Sequence, residues 1–229
     1  MNKRPLKVCR LGRIDYDAAL NLQKQTEQAV IAREAPDTLF LLEHPHTFTL
    51  GRSAKRAGVL ATAEVLKSLD VAVYETNRGG KVTYHGLGQI VGYPIINLSP
   101  DREDVHKYVR DVEEVLIRTM ADFDIEAFRL EGLTGVHTRD GKIAAIGVHL
   151  KRWVTTHGFA LNVNTDLSFF NWIIACEGEP VTSMEKILGR ELTLAEVEDR
   201  IIKNFVDVFG FEKFEELRQS AVVVVAAEV

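Results

Sequence analysis

The apolar and polar positions along the chain resolve into short strands and a few amphipathic helices. "PLKVCRLGRI" (5–14) alternates and carries enough β-forming residues to predict a first strand. Behind an acidic start, residues 15–34 place Tyr16, Ala19, Leu20, Gln23, Ala29 and Val30 at near-helical spacing. "TLFLLEHP" (38–45) and "HTFTLGR" (46–52) predict two short strands around Pro45. A short helix from Thr62 to about Leu69 leads into a strand at 71–76. The glycine-punctuated segment 77–89 follows, and then an apolar strand at 90–98.

The clearest helix covers 104–123, where Val105, Tyr108, Val109, Val112, Val115, Leu116 and Met120 share one face and charged residues occupy the other. "RDGK" (139–142) predicts a hairpin, because Asp140-Gly141 supplies the positive φ of a tight turn. Its arms are "GVHT" (135–138) and "KIAAIGVHL" (142–150). A strand at 156–164 and a helix at 193–209 complete the pattern. Thr193 and Glu196 read as a capping box, with Leu194, Val197, Ile201, Phe205 and Val208 as the buried stripe. The apolar tail 220–229 fits either an added strand or a frayed end. The hairpins exclude a purely alternating βαβ order, so the pattern predicts a single domain of mixed α and β with several antiparallel pairings.

Composition narrows the class. A chain of 229 residues, 46% hydrophobic and 27% charged, is long enough to bury a sizeable core. A net charge of −5 argues against a protein that works by binding nucleic-acid backbone. No window approaches 18 uninterrupted apolar residues, and the basic start "MNKRPLKVCRLGRIDY" lacks the apolar core of a signal peptide. Two cysteines make no disulfide framework, so a cytoplasmic, reducing setting is expected, with Cys9 structural. Gly86-x-Gly88 is no dinucleotide fingerprint, and His44-x-His46 is too little for a metal site. No metal or other cofactor is expected, and the chain is expected to be a monomer.

Three features bear on chemistry. Cys176 sits where an apolar run, Trp172-Ile173-Ile174, meets the polar turn Glu177-Gly178-Glu179. A thiol becomes a nucleophile when its thiolate is populated near neutral pH. Its neighbours in sequence are acidic, so an activating cation must come from elsewhere: Lys142, Lys81, His85, His149 and His157 are the candidates. One ammonium about 4 Å away, at an effective dielectric near 20, is worth roughly 4 kcal/mol or about 3 pKa units. The competing reading is a small, packed, inert hydrophobe. The second feature is "NRGGKVTYHGLGQ" (77–89), whose glycines suit a wall of backbone against a ligand. Two ordinary turns around a strand account for it equally well. The third is "GKIAAIG", where Ala144, Ala145 and Gly147 leave room beside Lys142 for something slender.

Four blocks taken together resemble the lipoyl(octanoyl) transferase family: "LLEHPHTFTLGR" (41–52), "RGGKVTYHGLGQIVGYPI" (78–95), "GKIAAIGVHLKRWVTTHGFALNVN" (141–164) and "IIACEGEPVTSM" (173–184). The resemblance implies a biotin/lipoate protein ligase-like fold, a mixed central sheet flanked by helices. It implies transfer of an octanoyl group, without ATP, from octanoyl-acyl carrier protein to a lysine of a lipoyl domain, the first step of endogenous lipoate biosynthesis. The acceptors implied are lipoyl domains of 2-oxoacid dehydrogenase E2 subunits and the glycine cleavage H protein. Cys176 is implied to form an acyl-thioester, with Lys142 lowering its pKa. Arg78, Gly79, Gly80, Lys81, Val82, Thr83, Tyr84, His85, Ala145, Ile146, Gly147, Gly158, Phe159 and Ala160 are implied to line the acyl site. Leu161 is expected to add to the apolar slot. Lys81 stands where the family varies. Lys55, Arg56, Lys151 and Arg152 are candidate docking charges for acidic partners. The rival readings are an ATP-dependent lipoate or biotin protein ligase on the same fold, and a non-catalytic acyl-binding module.

Overall fold

A computed structural model describes residues 5–174 and 179–218, so Cys176 and the tail 220–229 both lie outside the described residues. The chain opens with β1 (Leu6–Arg13), α1 (Tyr16–Ala32), β2 (Asp37–Glu43) and β3 (Thr47–Leu50). Then come α2 (Ala63–Ser68), β4 (Ala72–Glu75), β5 (Val82–His85) and β6 (Gln89–Ile95). The helix α3 (Val105–Ala121) precedes β7 (Val136–Thr138), β8 (Gly141–Lys151) and β9 (Val154–Asn162). A 3₁₀ helix (Leu167–Trp172), α4 (Met184–Leu188), α5 (Leu194–Phe209) and β10 (Phe214–Arg218) finish the described chain.

Seven strands form a mixed sheet in the order β10-β1-β2-β6-β9-β8-β7, with β1 parallel to both its neighbours and the remaining pairs antiparallel. Side chains alternate across it, as the period of a strand requires. Leu6, Val8, Leu39, Leu41, Phe159 and Leu161 pack toward α3 and α5. Cys9, Leu11, Phe40, Leu42, Val91, Tyr93 and Ala160 face the side covered by α1. The sheet is therefore buried on both faces, and the buried Cys9 thiol is pushed up by desolvation.

The strands around Pro45 do not share a sheet. β2 joins the large one, whereas β3 pairs with β4 and β5 in a separate three-stranded sheet. Pro45 has no N–H to continue a ladder, so the chain changes sheets there. The small sheet has its own core, formed by Phe48, Leu50, Val82 and Tyr84 with Leu66 of α2 and Phe169.

Two local expectations change. Thr193 makes no side-chain cap bond, so the expected capping box is not formed. Burial fixes α5 instead: Val197, Ile201 and Phe205 are fully enclosed, and Gly210, at φ 70°, ends the helix with its N–H on the Val206 carbonyl. In the β7–β8 hairpin, Thr138 pairs with Gly141, so the turn is Arg139-Asp140, and Gly141 with φ 126° opens β8. The edge strand β10 was not evident from the pattern, because "FEELR" is mostly charged; Glu216 there pairs with Arg10 at 3.1 Å. No helix among the described residues is long and apolar enough to cross a membrane.

Candidate active site

A cavity of about 270 Å³ opens between the two sheets. That is small beside the roughly 300–1,000 Å³ of a drug-sized pocket. One wall is the β8–β9 pair, where Ala145 faces Ala160 and Gly147 faces Gly158 in register. Gly158 is demanded by close approach: a Cβ there would lie 2.1 Å from the Gly92 carbonyl oxygen and 2.6 Å from Pro94 Cδ. The opposite wall is the segment 78–85, represented by Arg78, Gly80, Lys81, Val82, Thr83 and His85.

Arg78 is buried and spent on holding that wall. Its Nη2 donates to the Thr49 carbonyl at 2.6 Å and to Thr49 Oγ1 at 2.8 Å, while Nη1 donates to the Gly79 carbonyl at 2.9 Å. Charge-assisted bonds to a carbonyl and hydroxyl of β3 fix the loop against the small sheet. The Gly79 N–H in turn donates to the Val148 carbonyl of β8 at 2.9 Å. Gly79 is thus a link between the walls and is not among the lining residues.

Tyr84 and Leu161 also lie elsewhere than expected. Along β5 the side chains alternate, and Tyr84 turns into the small sheet's core, parallel to Phe169 at 4.9 Å, with its hydroxyl 2.9 Å from His46 Nδ1. Leu161 belongs to the core under α3 and α5, on the other face of β9 from Ala160. Thr83 and His85, by the same alternation, stay on the cavity side.

Lys142 lines the same cavity and is nearly buried, 9% exposed. Its Nζ donates to the Thr134 carbonyl at 2.8 Å. Its backbone bridges to the segment after the thiol: Lys142 N–H donates to the Pro180 carbonyl at 2.8 Å, and Thr182 N–H to the Lys142 carbonyl at 3.0 Å. Lys81 is exposed beside the cavity, and Lys55, Arg56, Lys151 and Arg152 are exposed as well.

The far end, toward Gly147 and Gly158, is aromatic and polar. Tyr16, Tyr93, His85 and His157 line it. His85 Nδ1 lies 2.9 Å from Gln89 Oε1, and Gln89 Nε2 donates to the Tyr84 carbonyl and to Asn162 Oδ1. That network makes Nδ1 the protonated nitrogen of a neutral ring. Burial first, then His44 and Arg78, hold His85 well below the ordinary histidine range. His157 takes the left-handed φ of 57°, places Nε2 2.7 Å from Asn77 Oδ1, and is lowered to about 3 by burial and by Arg78. His44, its ring 5.7 Å from that of His85 and bonded to Tyr93 Oη at 2.8 Å, is lowered to about 4, mainly by burial. The same desolvation pushes Tyr16 up to about 12.

Sequence reasoning missed Tyr16, Tyr93, Ser53 and the loop Gly132-Leu133-Thr134, all of which line the cavity. The glycines at 132 and 135 carried a usable signal, as two positive-φ positions, 78° and 127°, three residues apart. Tyr16 was hidden because it keeps the periodicity of α1 while facing the cavity.

The lipoyl protein ligase A/B catalytic domain model matches residues 15–206. A protein of Solibacter usitatus called octanoyltransferase is 51% identical over 203 residues, covering 88% of this chain and 92% of that one. Among solved structures, lipoate-protein ligase A bound with ATP superposes with a TM-score of 0.75 at 16% identity, covering 95% of this chain and 89% of the other. A bi-partite lipoate protein ligase of Thermoplasma acidophilum gives 0.70 at 16%, covering 93% and 87%. These structural likenesses speak for the fold, a mixed sheet flanked by helices, and the sequence match speaks for the activity class. The chain belongs to the octanoyltransferases of the lipoyl protein ligase A/B family and is an acyltransferase.

Proposed function

We propose that this acyltransferase moves an octanoyl group from octanoyl-acyl carrier protein to a lysine of a lipoyl domain, through a thioester on Cys176 and without ATP. The observation that carries the reading is the cavity itself. It is a small slot between the β8–β9 wall, with Ala145–Gly147 and Gly158–Ala160, and the segment 78–85, with the Lys142 ammonium at one end. The backbone of Lys142 is bridged to Pro180, four residues after Cys176. Burying methylenes along the slot contributes about 0.8 kcal/mol each.

In the first half-reaction the Cys176 thiolate, paired with Lys142, attacks the donor carbonyl carbon. The tetrahedral intermediate collapses by breaking the bond to the pantetheine sulfur, which leaves as a thiolate and takes a proton. Thioester exchange of this kind is nearly thermoneutral. In the second, a neutral acceptor amine attacks the enzyme thioester, loses a proton to Lys142, itself left neutral by giving a proton to the departing pantetheine thiolate in the first, and expels Cys176 as its thiolate, which restores the ion pair. The amide formed is downhill, so no nucleotide is consumed. The covalent stopover lets two protein substrates use one slot in turn. Lipoyl domains of 2-oxoacid dehydrogenase E2 subunits and of the glycine cleavage H protein are the acceptors proposed. Support for this acceptor class comes from the family and from the Thermoplasma acidophilum ligase, whose structure is described together with its E2 lipoyl domain.

Intact-mass measurement after incubation with octanoyl-acyl carrier protein, ATP omitted, tests the reading. The expected result is one octanoyl adduct that hydroxylamine removes and that Cys176→Ala does not form. An adduct on the acceptor only when ATP and free octanoate are supplied favours a ligase. Binding with no adduct under either condition favours an acyl-binding module.

A further inference from the structure

Outside the cavity, the described chain holds one carboxylate of unusual placement. Glu113 of α3 is 1% exposed, and both its oxygens are occupied. Oε2 accepts from Arg110 Nη1 at 3.0 Å and from Arg129 Nε at 3.1 Å. Oε1 accepts the backbone N–H of Gly135 at 3.0 Å. Residues 129 and 135 are the two ends of the loop that brings Gly132, Leu133 and Thr134 to the cavity. One side chain of a helix thus clamps both ends of a cavity-lining loop.

The Gly135 N–H belongs to the same peptide unit as the Thr134 carbonyl, the acceptor for Lys142 Nζ. A negative charge on the N–H side polarises that amide, and its carbonyl oxygen becomes a stronger acceptor on the other side. Only glycine suits position 135. Its φ is 127°, and a Cβ there would stand 2.7 Å from Lys142 Cε and 2.6 Å from the Ala144 carbonyl oxygen. No side chain can come between the peptide and the lysine stem.

We propose that Glu113 is a positioning residue for the transfer reaction, acting on Lys142 through the Thr134–Gly135 peptide. The inference rests on the role given above to Lys142. The carboxylate does not touch the substrate. It holds the loop closed and strengthens the backbone acceptor that aims the ammonium along the cavity wall. An ion pair made directly to Lys142 would compete with the thiolate for the cation; a polarised carbonyl orients Nζ and leaves its other two protons available.

Three variants and one chemical probe test this. Glu113→Gln keeps the shape, removes the charge and leaves one acceptor oxygen; Arg110→Gln leaves the bonds of Glu113 to Arg129 and Gly135 in place; Lys142→Ala reports the role of the lysine itself. Single-turnover formation of the octanoyl adduct is measured with octanoyl-acyl carrier protein. In parallel, acetic anhydride at fixed pH reads the reactivity of Lys142 against the exposed Lys203 in the same digest. Glu113→Gln is expected to slow the adduct about tenfold at unchanged donor KM, as the bond to the Gly135 amide loses its charge assistance. It is also expected to raise Lys142 acetylation about threefold as its tether weakens. Arg110→Gln is expected to stay within about twofold on both readings. A wild-type rate in Glu113→Gln alongside a slow Lys142→Ala overturns the relay. So does a slow Glu113→Gln whose Lys142 labelling is unchanged, or an Arg110→Gln as impaired as Glu113→Gln. A wild-type rate in Lys142→Ala instead removes the lysine from the mechanism, and the labelling then decides the tether alone. If Glu113→Gln does not fold, hydrogen exchange on the native chain decides. Slow exchange of the Gly135 amide is expected, and exchange as fast as in exposed loops overturns the clamp.

Discussion

The two ends of the cavity treat charge in opposite ways. At the Lys142 end a cation sits at the wall, tethered to a backbone carbonyl that a buried carboxylate supports from behind. At the other end, roughly 17 Å along β8 at about 3.4 Å per residue, titratable groups are numerous and burial has discharged them. His85, His157 and His44 are all held neutral, and Tyr16 and Tyr93 are kept from ionising. A histidine count therefore says little about where acid–base chemistry resides. Enclosure without a counter-charge makes imidazole a hydrogen-bonding wall, and the acid–base role proposed above falls to Lys142 at the other end.

Removing the charged end has the largest expected effect. Lys142→Ala is expected to slow adduct formation about a thousandfold, matching a Coulomb contribution of roughly 4 kcal/mol; single-turnover mass spectrometry reads it. A rate near wild type would make the ends equivalent. Next comes the wall beside the neutral end. Gly158→Ala forces a methyl against the Gly92 carbonyl and is expected to cost about 3 kcal/mol or more of stability. Urea unfolding measures that, and an unchanged midpoint would show that β6 and β9 can part there.

The third test titrates the neutral end. Folded pKa values of about 4 for His44 and about 3 for His157 lie below the unfolded value of about 6.5. The unfolded chain therefore binds protons first. Stability is fully present above about pH 6.5 and is lost as pH falls, by about 1.4 kcal/mol per histidine per pH unit, levelling near pH 4 and pH 3. Denaturant midpoints from pH 7.5 to 4.5 trace the loss; a flat profile across that range would mean that these rings take up protons in the folded chain as readily as in the unfolded one. The smallest effect concerns a residue outside both ends. Tyr84→Phe removes only the hydroxyl contact to His46 and is expected to cost about 1 kcal/mol while leaving the acylation rate unchanged. A changed rate would return Tyr84 to the site.

What the sequence disclosed follows from which interactions are periodic. The face of α3 and the arms of the β7–β8 hairpin were legible because burial repeats at 3.6 or 2 residues. The glycine block and Lys142 were legible as a motif, and the structure gathers most of that block around one cavity. Tyr84 was misplaced because a contiguous motif hides the alternation of a strand. The separate small sheet was not visible, since a strand's pattern does not say which sheet it joins. Nor was Glu113, whose partners at 129 and 135 come from a loop with no period.

The link between the Gly79 amide and the Val148 carbonyl has a consequence of its own. It fastens the two sheets to each other with main chain alone, so substitution of side chains at either position leaves the fastening in place. The aperture is inherited with the backbone, and drift in the surrounding sequence is free to retune what enters it while its width stays put.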